Sequence, residues 1–596
     1  LFSALAAAVW TIETLLALPA LGDPQIRPDG AAYAYVLNGQ VHRAALPAGP
    51  PVAVAAGSRP RWSPNGKLLA YLANGKIRLG KHSYGAAVNA YSWSPDGKAF
   101  AYLATDNPPP VDPIVNRDTS RYTGLFLQPL SGAPPRRLTG PTRHVLSYAL
   151  SPNGKRAAIA VQRTPKPEDI FHVDILEIDL ATGAETPLVT QPGRDAEPAY
   201  SPGGKHIVFH SQCGSLNYFN ERQIGFVPSG GGEIQYLTRL LPFDLFRNGN
   251  AYAWSPDGQR LRFTAGQGTQ DDLWELHLPT GQATRLAEQI SGAASFSHDL
   301  SRAVFLKTHP AHPPEIVLWE AGRESTLTQV FAPLAALPPV KSEVVRWKAR
   351  DGLAVEGVLW LPFNFQPGRP VPVLTELHGG PTGVALTAFP NGRTYPTVAF
   401  LEQGFAVFAP NFRGSANYGA EFRHKNTLAQ GIGDFGDLMT GLDELVRRGI
   451  ADPQRLGVMG WSYGGYLSGA TIAQTKRFRA ASVGAPSVDW LTYYGEFNGA
   501  REVLWTYFGG KPHEVPENYL RHSYGHKLKD ITTPTLLQIG ALDWQYTAPI
   551  YQSLRDREIP VEYVVYPREG HGITEKAHQR DLMERNLRWM TTWLKN

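Results

Sequence analysis

A short turn motif recurs along the first three hundred residues, and it limits the fold more than any other feature of the chain. It reads Arg27-Pro28-Asp29-Gly30, Trp62-Ser63-Pro64-Asn65-Gly66-Lys67, Trp93-Ser94-Pro95-Asp96-Gly97-Lys98 and Leu150-Ser151-Pro152-Asn153-Gly154-Lys155. It continues as Tyr200-Ser201-Pro202-Gly203-Gly204-Lys205 and Trp254-Ser255-Pro256-Asp257-Gly258, with a worn copy at Phe296-Ser297-His298-Asp299. Proline presets the second position of a turn, Asp or Asn tolerates the third, and glycine closes it with a positive φ. Strand-like runs follow, as at residues 68–72, 99–103, 207–209 and 303–306. A hairpin repeated at blade spacing predicts a β-propeller. Seven copies predict seven blades over about residues 22–335. The competing fold is an irregular all-β sandwich with similar turns.

The repeat places six of the 50 prolines and seven of the 59 glycines at its turns, and no Gly-x-y period accompanies them, so collagen is excluded. With 42% hydrophobic and 18% charged residues the chain can bury cores, and 596 residues call for more than one domain. The net charge of +5 comes without any run of like charges, which leaves no electrostatic footprint for nucleic acid. No uninterrupted apolar run reaches transmembrane length, so no membrane partner is expected. Cys213 is the only cysteine, which rules out an intrachain disulfide and a Cys-based zinc cluster. A lone thiol fits a cytoplasmic protein. Residues 1–10, LFSALAAAVW, read as an amphipathic helix packed on the globule. The alternative is the tail of a secretion signal, and then an exported protein.

From about residue 336 the pattern changes to apolar strand-like runs alternating with helical stretches, as in a mostly parallel, doubly wound sheet covered by helices. Leu456-Gly457-Val458-Met459 reads as a strand, then Gly460-Trp461-Ser462-Tyr463-Gly464-Gly465, then a helix. Gly-x-Ser-x-Gly between strand and helix is the nucleophile-elbow pattern, and small residues are needed for the sharp turn. That order of elements expects Asp or Glu and then His downstream. Asp543 follows the strand-like Thr535-Leu536-Leu537-Gln538-Ile539, and His571 follows Val561-Glu562-Tyr563-Val564-Val565 within Glu569-Gly570-His571-Gly572. Both sit in loops after strands, where an open α/β sheet places its site. His571 is expected to take the Ser462 proton, with Asp543 holding the useful tautomer. His378-Gly379-Gly380-Pro381 also ends a strand-like run, and one of its glycine N–H groups, with that of Tyr463, is the expected oxyanion pair.

The hairpin repeats, His378-Gly379-Gly380-Pro381, Asn411-Phe412-Arg413-Gly414-Ser415, Gly460-Trp461-Ser462-Tyr463-Gly464-Gly465-Tyr466 and Gly570-His571-Gly572 together resemble the prolyl oligopeptidase family, most of all its acylaminoacyl-peptidase branch. The resemblance covers nearly the whole chain. It implies a serine peptidase acting on short peptides in a cavity gated by the propeller, with residues 1–21 lent as a helical segment to the hydrolase domain (residues 336–596). It implies Gly380 as the second oxyanion donor. It places Trp490, Tyr494, Phe497 and neighbouring aromatics near the pocket for the residue before the cut bond. Arg413, Arg423 and Arg501 are candidates for holding a substrate carboxylate, as in a carboxypeptidase. No paired-Glu motif of the dipeptidyl-peptidase branch is clear in the propeller, and residues 544–546 depart from the usual run after the Asp. No cofactor or metal is expected, and a homo-oligomer is left open. A dipeptidyl peptidase, a carboxylesterase and a non-catalytic binding scaffold are the alternative readings.

Overall fold

In the computed structural model of the chain, seven four-stranded antiparallel units occupy residues 21–56, 58–84, 88–137, 144–189, 193–236, 253–287 and 290–326. The structure describes residues 9–47, 49–106, 121–248, 251–496, 499, 501–543 and 547–595. Each unit is built from one continuous stretch of chain, so these are the blades of a seven-bladed propeller. The fourth and fifth are joined into one sheet by a short parallel pairing, His172 with Gly193 and Val173 with Arg194. Adjacent blades pack face to face through apolar side chains: Ala70, Leu72 and Ile77 of the second blade meet Tyr91, Trp93 and Phe100 of the third. No strand is shared between the last blade and the first. The ring closes instead by packing Ile26, Tyr33 and Tyr35 on Val304, Ile316 and Leu318, with His298 N donating to Pro28 O at 2.8 Å.

The repeated motif forms the turn between the first two strands of each blade. Its serine clamps the turn: Ser63 Oγ donates to Asn65 Oδ1 at 2.8 Å and accepts from Leu68 N at 3.0 Å. Ser94, Ser151 and Ser297 do the same, and all four serines are buried. Glycines 30, 66, 97, 154, 204 and 258 have φ between 67° and 72°. In the worn copy Leu300 takes the glycine's place at φ 60°, and its side chain is buried, which offsets the left-handed strain. The turn carboxylates are held ionised below their ordinary range. For Asp299, the hydroxyl of Ser297 and the N–H and hydroxyl of Ser301 bring it to about 2. Asp96 and Asp257 are lowered in the same way by the turn serine and a backbone N–H, and Asp29 chiefly by the Arg27 guanidinium with the Ala31 N–H. A lowered carboxyl contributes stability above its unfolded value and loses it as pH falls through its folded one, here from about pH 4 towards 2. The thermal midpoint is therefore expected to fall over that window, and less steeply in a Ser297→Ala/Ser301→Ala variant. An unchanged slope in the variant would remove these turns from the acid response.

The rest of the chain forms one eight-stranded sheet: β1 (Lys341–Lys348), β2 (Ala354–Leu361), β3 (Val371–Leu377), β4 (Ala406–Asn411), β5 (Ala451–Trp461), β6 (Phe478–Gly484), β7 (Thr535–Gly540) and β8 (Val561–Tyr566). Their order is β1-β2-β4-β3-β5-β6-β7-β8, antiparallel up to β4 and parallel from there on. This is an α/β-hydrolase sheet with its central strands buried on both faces. The helices that matter for the site are α1 (Ile12–Ala17), α2 (Gly419–His424), α3 (Gly433–Arg447), α4 (Tyr463–Ile472) and α5 (Lys576–Lys595). Trp10, Ile12, Leu15 and Leu16 of the N-terminal segment pack with Phe400, Met583 and Met590 in the core under one face of this sheet. Residues 1–8, part of the segment read as a helix or a signal tail, lie outside the described residues. Among the described residues no helix is long and apolar enough to cross a membrane.

Candidate active site

The parallel strands β3, β5, β7 and β8 all end at one edge of the sheet, and the predicted site residues follow them. Ser462 sits between β5 and α4 at φ 63°, ψ −122°, a strained backbone for a residue with a side chain. The glycines around it are forced by close backbone approach. A Cβ on Gly460 would collide with Gly464, one on Gly464 with the Leu377 carbonyl, and one on Gly465 with the Gly484 carbonyl. Ser462 N donates to Gly484 O at 3.0 Å and its own carbonyl accepts from Tyr466 N at 2.9 Å, so the turn is fixed at both ends. The serine side chain makes no helix cap.

Asp543 and His571 are brought together: Oδ2 lies 2.8 Å from Nδ1, with the Asp543 side chain almost fully buried. Their loops are stitched to each other by Ala541 N to Tyr566 O and Leu542 N to Glu569 O, both 2.8 Å. The His571 loop is also tied to the elbow, because Trp461 Nε1 donates to the His571 carbonyl at 2.8 Å. Glu569, two residues before the histidine, carries no sequence signal beyond its place in Glu-Gly-His, yet it anchors the loop. Its oxygens accept from Thr574 N and Oγ1, Glu575 N and His578 Nδ1 at 2.8–2.9 Å, fixing the loop to the start of α5. Burial opposes its ionisation, but these donors prevail and hold the carboxyl down to about 2. Glu569, Glu575 and His578 lie close enough together to hold a cation, but both Glu569 oxygens are already occupied by protein donors.

On the opposite side, Gly379 abuts the serine: a Cβ there would lie 3.4 Å from Ser462 Cβ. Gly380 follows at φ 120°, and its carbonyl accepts from Tyr507 OH at 3.2 Å. The half-buried His378 ring is stacked on Phe412 and hydrogen-bonded to Gly379 O and Ser415 Oγ, both at 2.9 Å. Burial pulls it down to about 4, so it braces the glycine loop as a largely neutral ring. Tyr463, the residue after the serine, starts α4. Its hydroxyl donates to buried Asp434 at 2.6 Å and accepts from Asn426 Nδ2 at 3.1 Å. Burial pushes Asp434 up to about 7.

The pocket expectations fare differently. Trp490 is only 2% exposed and packs among Tyr466, Tyr493 and Phe508. Tyr494 is half-buried, with Trp505 Nε1 on its hydroxyl and the Arg501 guanidinium over its ring. Phe497 and residues 544–546 lie outside the described residues. The three arginines proposed as carboxylate holders are each taken by a carboxylate of this chain. Arg413 is held by Asp437 and Asp351, Arg423 by Asp244 and Arg501 by Glu168. Two of these pairs join the propeller to the hydrolase. Burial pushes the thiol of Cys213, the lone cysteine, up to about 11, which disfavours the nucleophilic thiolate.

Fold and site together define an α/β hydrolase that carries its own seven-bladed propeller. Residues 393–596 match the description of the prolyl oligopeptidase family. The chain is 24% identical to dipeptidyl-peptidase 5 of Porphyromonas gingivalis over 495 residues, covering 78% of this chain and 69% of that protein. It is 25% identical to the acylamino-acid-releasing enzyme of Sus scrofa over 471 residues, covering 70% of this chain but only 61% of that protein. Among solved structures, the acylaminoacyl peptidase of Pyrococcus horikoshii superposes with a TM-score of 0.83 at 20% identity over 98% of both chains. A puromycin hydrolase does so with a TM-score of 0.77 at 18% identity, over 99% of this chain and 97% of the other. At these identities the superpositions speak for the fold.

Proposed function

We propose that the chain hydrolyses short peptides by a Ser462–His571–Asp543 relay of the acylaminoacyl-peptidase type. The observation that carries this reading is the 2.8 Å contact of His571 Nδ1 with a buried carboxylate, on a loop hydrogen-bonded to the elbow. Asp543 fixes the tautomer with Nδ1 protonated, which leaves Nε2 as the base. Ser462 Oγ attacks the scissile carbonyl as Nε2 takes its proton, and the imidazolium then returns that proton to the leaving amine. The oxyanion is met by the N–H of Tyr463, at the N-terminus of α4, and the N–H of Gly380. Each such donor is worth about 3 kcal/mol in the transition state. Asp434 and Asn426 keep Tyr463 in register, and His378 does so for the glycine loop. The propeller bars folded proteins from the cavity and admits short peptides.

The relatives include acylamino-acid-releasing enzymes and a dipeptidyl peptidase that is matched over 78% of this chain. Profiling the full chain against acetylated, free-amine and carboxy-terminal peptides and simple esters separates the branches. Release of an acylated amino acid as the fastest reaction is the expected result. Turnover of esters alone would overturn the peptidase reading, and a free-amine preference would move the chain to the dipeptidyl branch.

A further inference from the structure

Among the described residues, Arg222 is a buried cation that makes no ion pair. It lies in the loop between residues 211 and 223 of the fifth blade, and only 8% of its surface is exposed. Its guanidinium makes two weak contacts, Nη1 to Asn220 O at 3.3 Å and Nη2 to Tyr218 O at 3.4 Å, and lies over the Phe246 ring at 5.0 Å. Among the described residues no carboxylate lies within ion-pair distance of it. The nearby Asp244 is fully engaged: Oδ2 takes Arg423, Asn417 N and Gly419 N, and Oδ1 takes Phe246 N. Arg423 and Arg194 add positive charge around it. Burial, together with these arginines, lowers Arg222 to about 10 against the opposing charge of Asp244, and the buried Asp195 also lies within electrostatic reach of it. A buried charge left unpaired is costly, and a guanidinium fork matches a carboxylate in two parallel hydrogen bonds.

The position is next to the reaction centre. The Tyr218 hydroxyl meets Thr382 Oγ1 at 2.7 Å, two residues from Gly380. Tyr218 also packs edge-on against Phe246 at 5.3 Å, and its carbonyl is one of the two that Arg222 touches. One side chain thus separates the unpaired guanidinium from the oxyanion loop. Arg413, Arg423 and Arg501 cannot serve a substrate in this way, because each is already paired.

We propose that Arg222 is a carboxylate-binding residue of the substrate cavity, engaging the free α-carboxylate, or an acidic side chain, of a short peptide. This rests on the peptidase reading for its ligand but not for its test. The test uses the full chain carrying Ser462→Ala, so that binding is measured without turnover. Acetylated tripeptides ending in a carboxylate, the same tripeptides as carboxamides, and a carboxamide with Glu at the last position are titrated by calorimetry. The carboxylate is expected to bind about 30-fold more tightly than its carboxamide, a preference that Arg222→Gln removes and Arg222→Lys partly restores. Tight binding of the Glu carboxamide as well assigns the site to side-chain carboxylates. Equal binding of acid and carboxamide overturns the proposal, as does a preference that survives in Arg222→Gln. If Arg222→Gln fails to fold, the acid-to-carboxamide ratio and its decline with salt decide alone. Failure of the peptidase reading is separate, and shows as absent hydrolysis by the chain with Ser462 intact.

Discussion

Ser462→Ala is expected to lower peptide hydrolysis by about 10⁴-fold or more while leaving the fold intact. The two effects separate because of how the elbow is built. The turn is held by backbone contacts, Ser462 N to Gly484 O and Tyr466 N to Ser462 O, and by the glycines at 460, 464 and 465. The hydroxyl caps nothing, and alanine meets the same left-handed strain as serine. The thermal midpoint should therefore move by no more than about 2 °C, within the range of a surface substitution. Labelling by a fluorophosphonate probe should vanish together with hydrolysis. Asp543→Asn should behave alike, because the amide favours the wrong tautomer of His571. Retained hydrolysis in Ser462→Ala would overturn the relay. Labelling that survives the substitution would place the nucleophile elsewhere.

What the sequence makes legible is whatever is local. The blade turn announces itself because proline, Asx and glycine must occupy fixed offsets within a few residues. The elbow does so because Gly460 and Gly464 are required within five residues of each other by steric contact. Asp543 and His571 are legible at one remove, since each follows a strand of a sheet whose order of elements is known. The seventh turn is nearly hidden, because Leu300 replaces the glycine and survives by burying its side chain. What stays illegible depends on partners far apart in the chain. Arg413, Arg423 and Arg501 look like free cations in sequence. Asp437 meets Arg413 only once the hydrolase is folded, and Asp244 and Glu168 meet Arg423 and Arg501 only once propeller and hydrolase are stacked. The burial of Trp490 among Tyr466, Tyr493 and Phe508 is likewise invisible in composition, which does not distinguish a core aromatic from an exposed one. Glu569 and Arg222 act through burial and hydrogen-bond supply, neither of which a residue pattern carries.

The pair Asp244–Arg423 gives the largest expected effect on stability. Arg423 is wholly buried in α2 of the hydrolase, and Asp244 lies on the propeller between the fifth and sixth blades. The guanidinium also donates from Nε to Phe219 O at 3.0 Å and from Nη2 to Asn220 O at 3.2 Å. The carboxylate accepts Asn417 N, Gly419 N and Phe246 N at 2.9–3.1 Å besides the arginine. Removing one partner of such a pair leaves the other charge uncompensated, at a cost of about 3–5 kcal/mol. The two deletions should not cost the same. In Arg423→Met the carboxylate keeps three backbone N–H donors, and methionine fills part of the space, so about 1–3 kcal/mol is expected. In Asp244→Ala a buried guanidinium and three N–H groups lose their acceptor at once, and Arg222 beside it loses one of the carboxylate charges that face it. That variant should show the full 3–5 kcal/mol, about 6–15 °C in the thermal midpoint of the domain that unfolds first. The double variant Asp244→Ala/Arg423→Met should be more stable than Asp244→Ala alone, because it removes the stranded cation. If Asp244→Ala costs no more than Arg423→Met, the carboxylate is not the hub of this interface, and the burden lies with the aromatic contacts of Phe219 and Phe246.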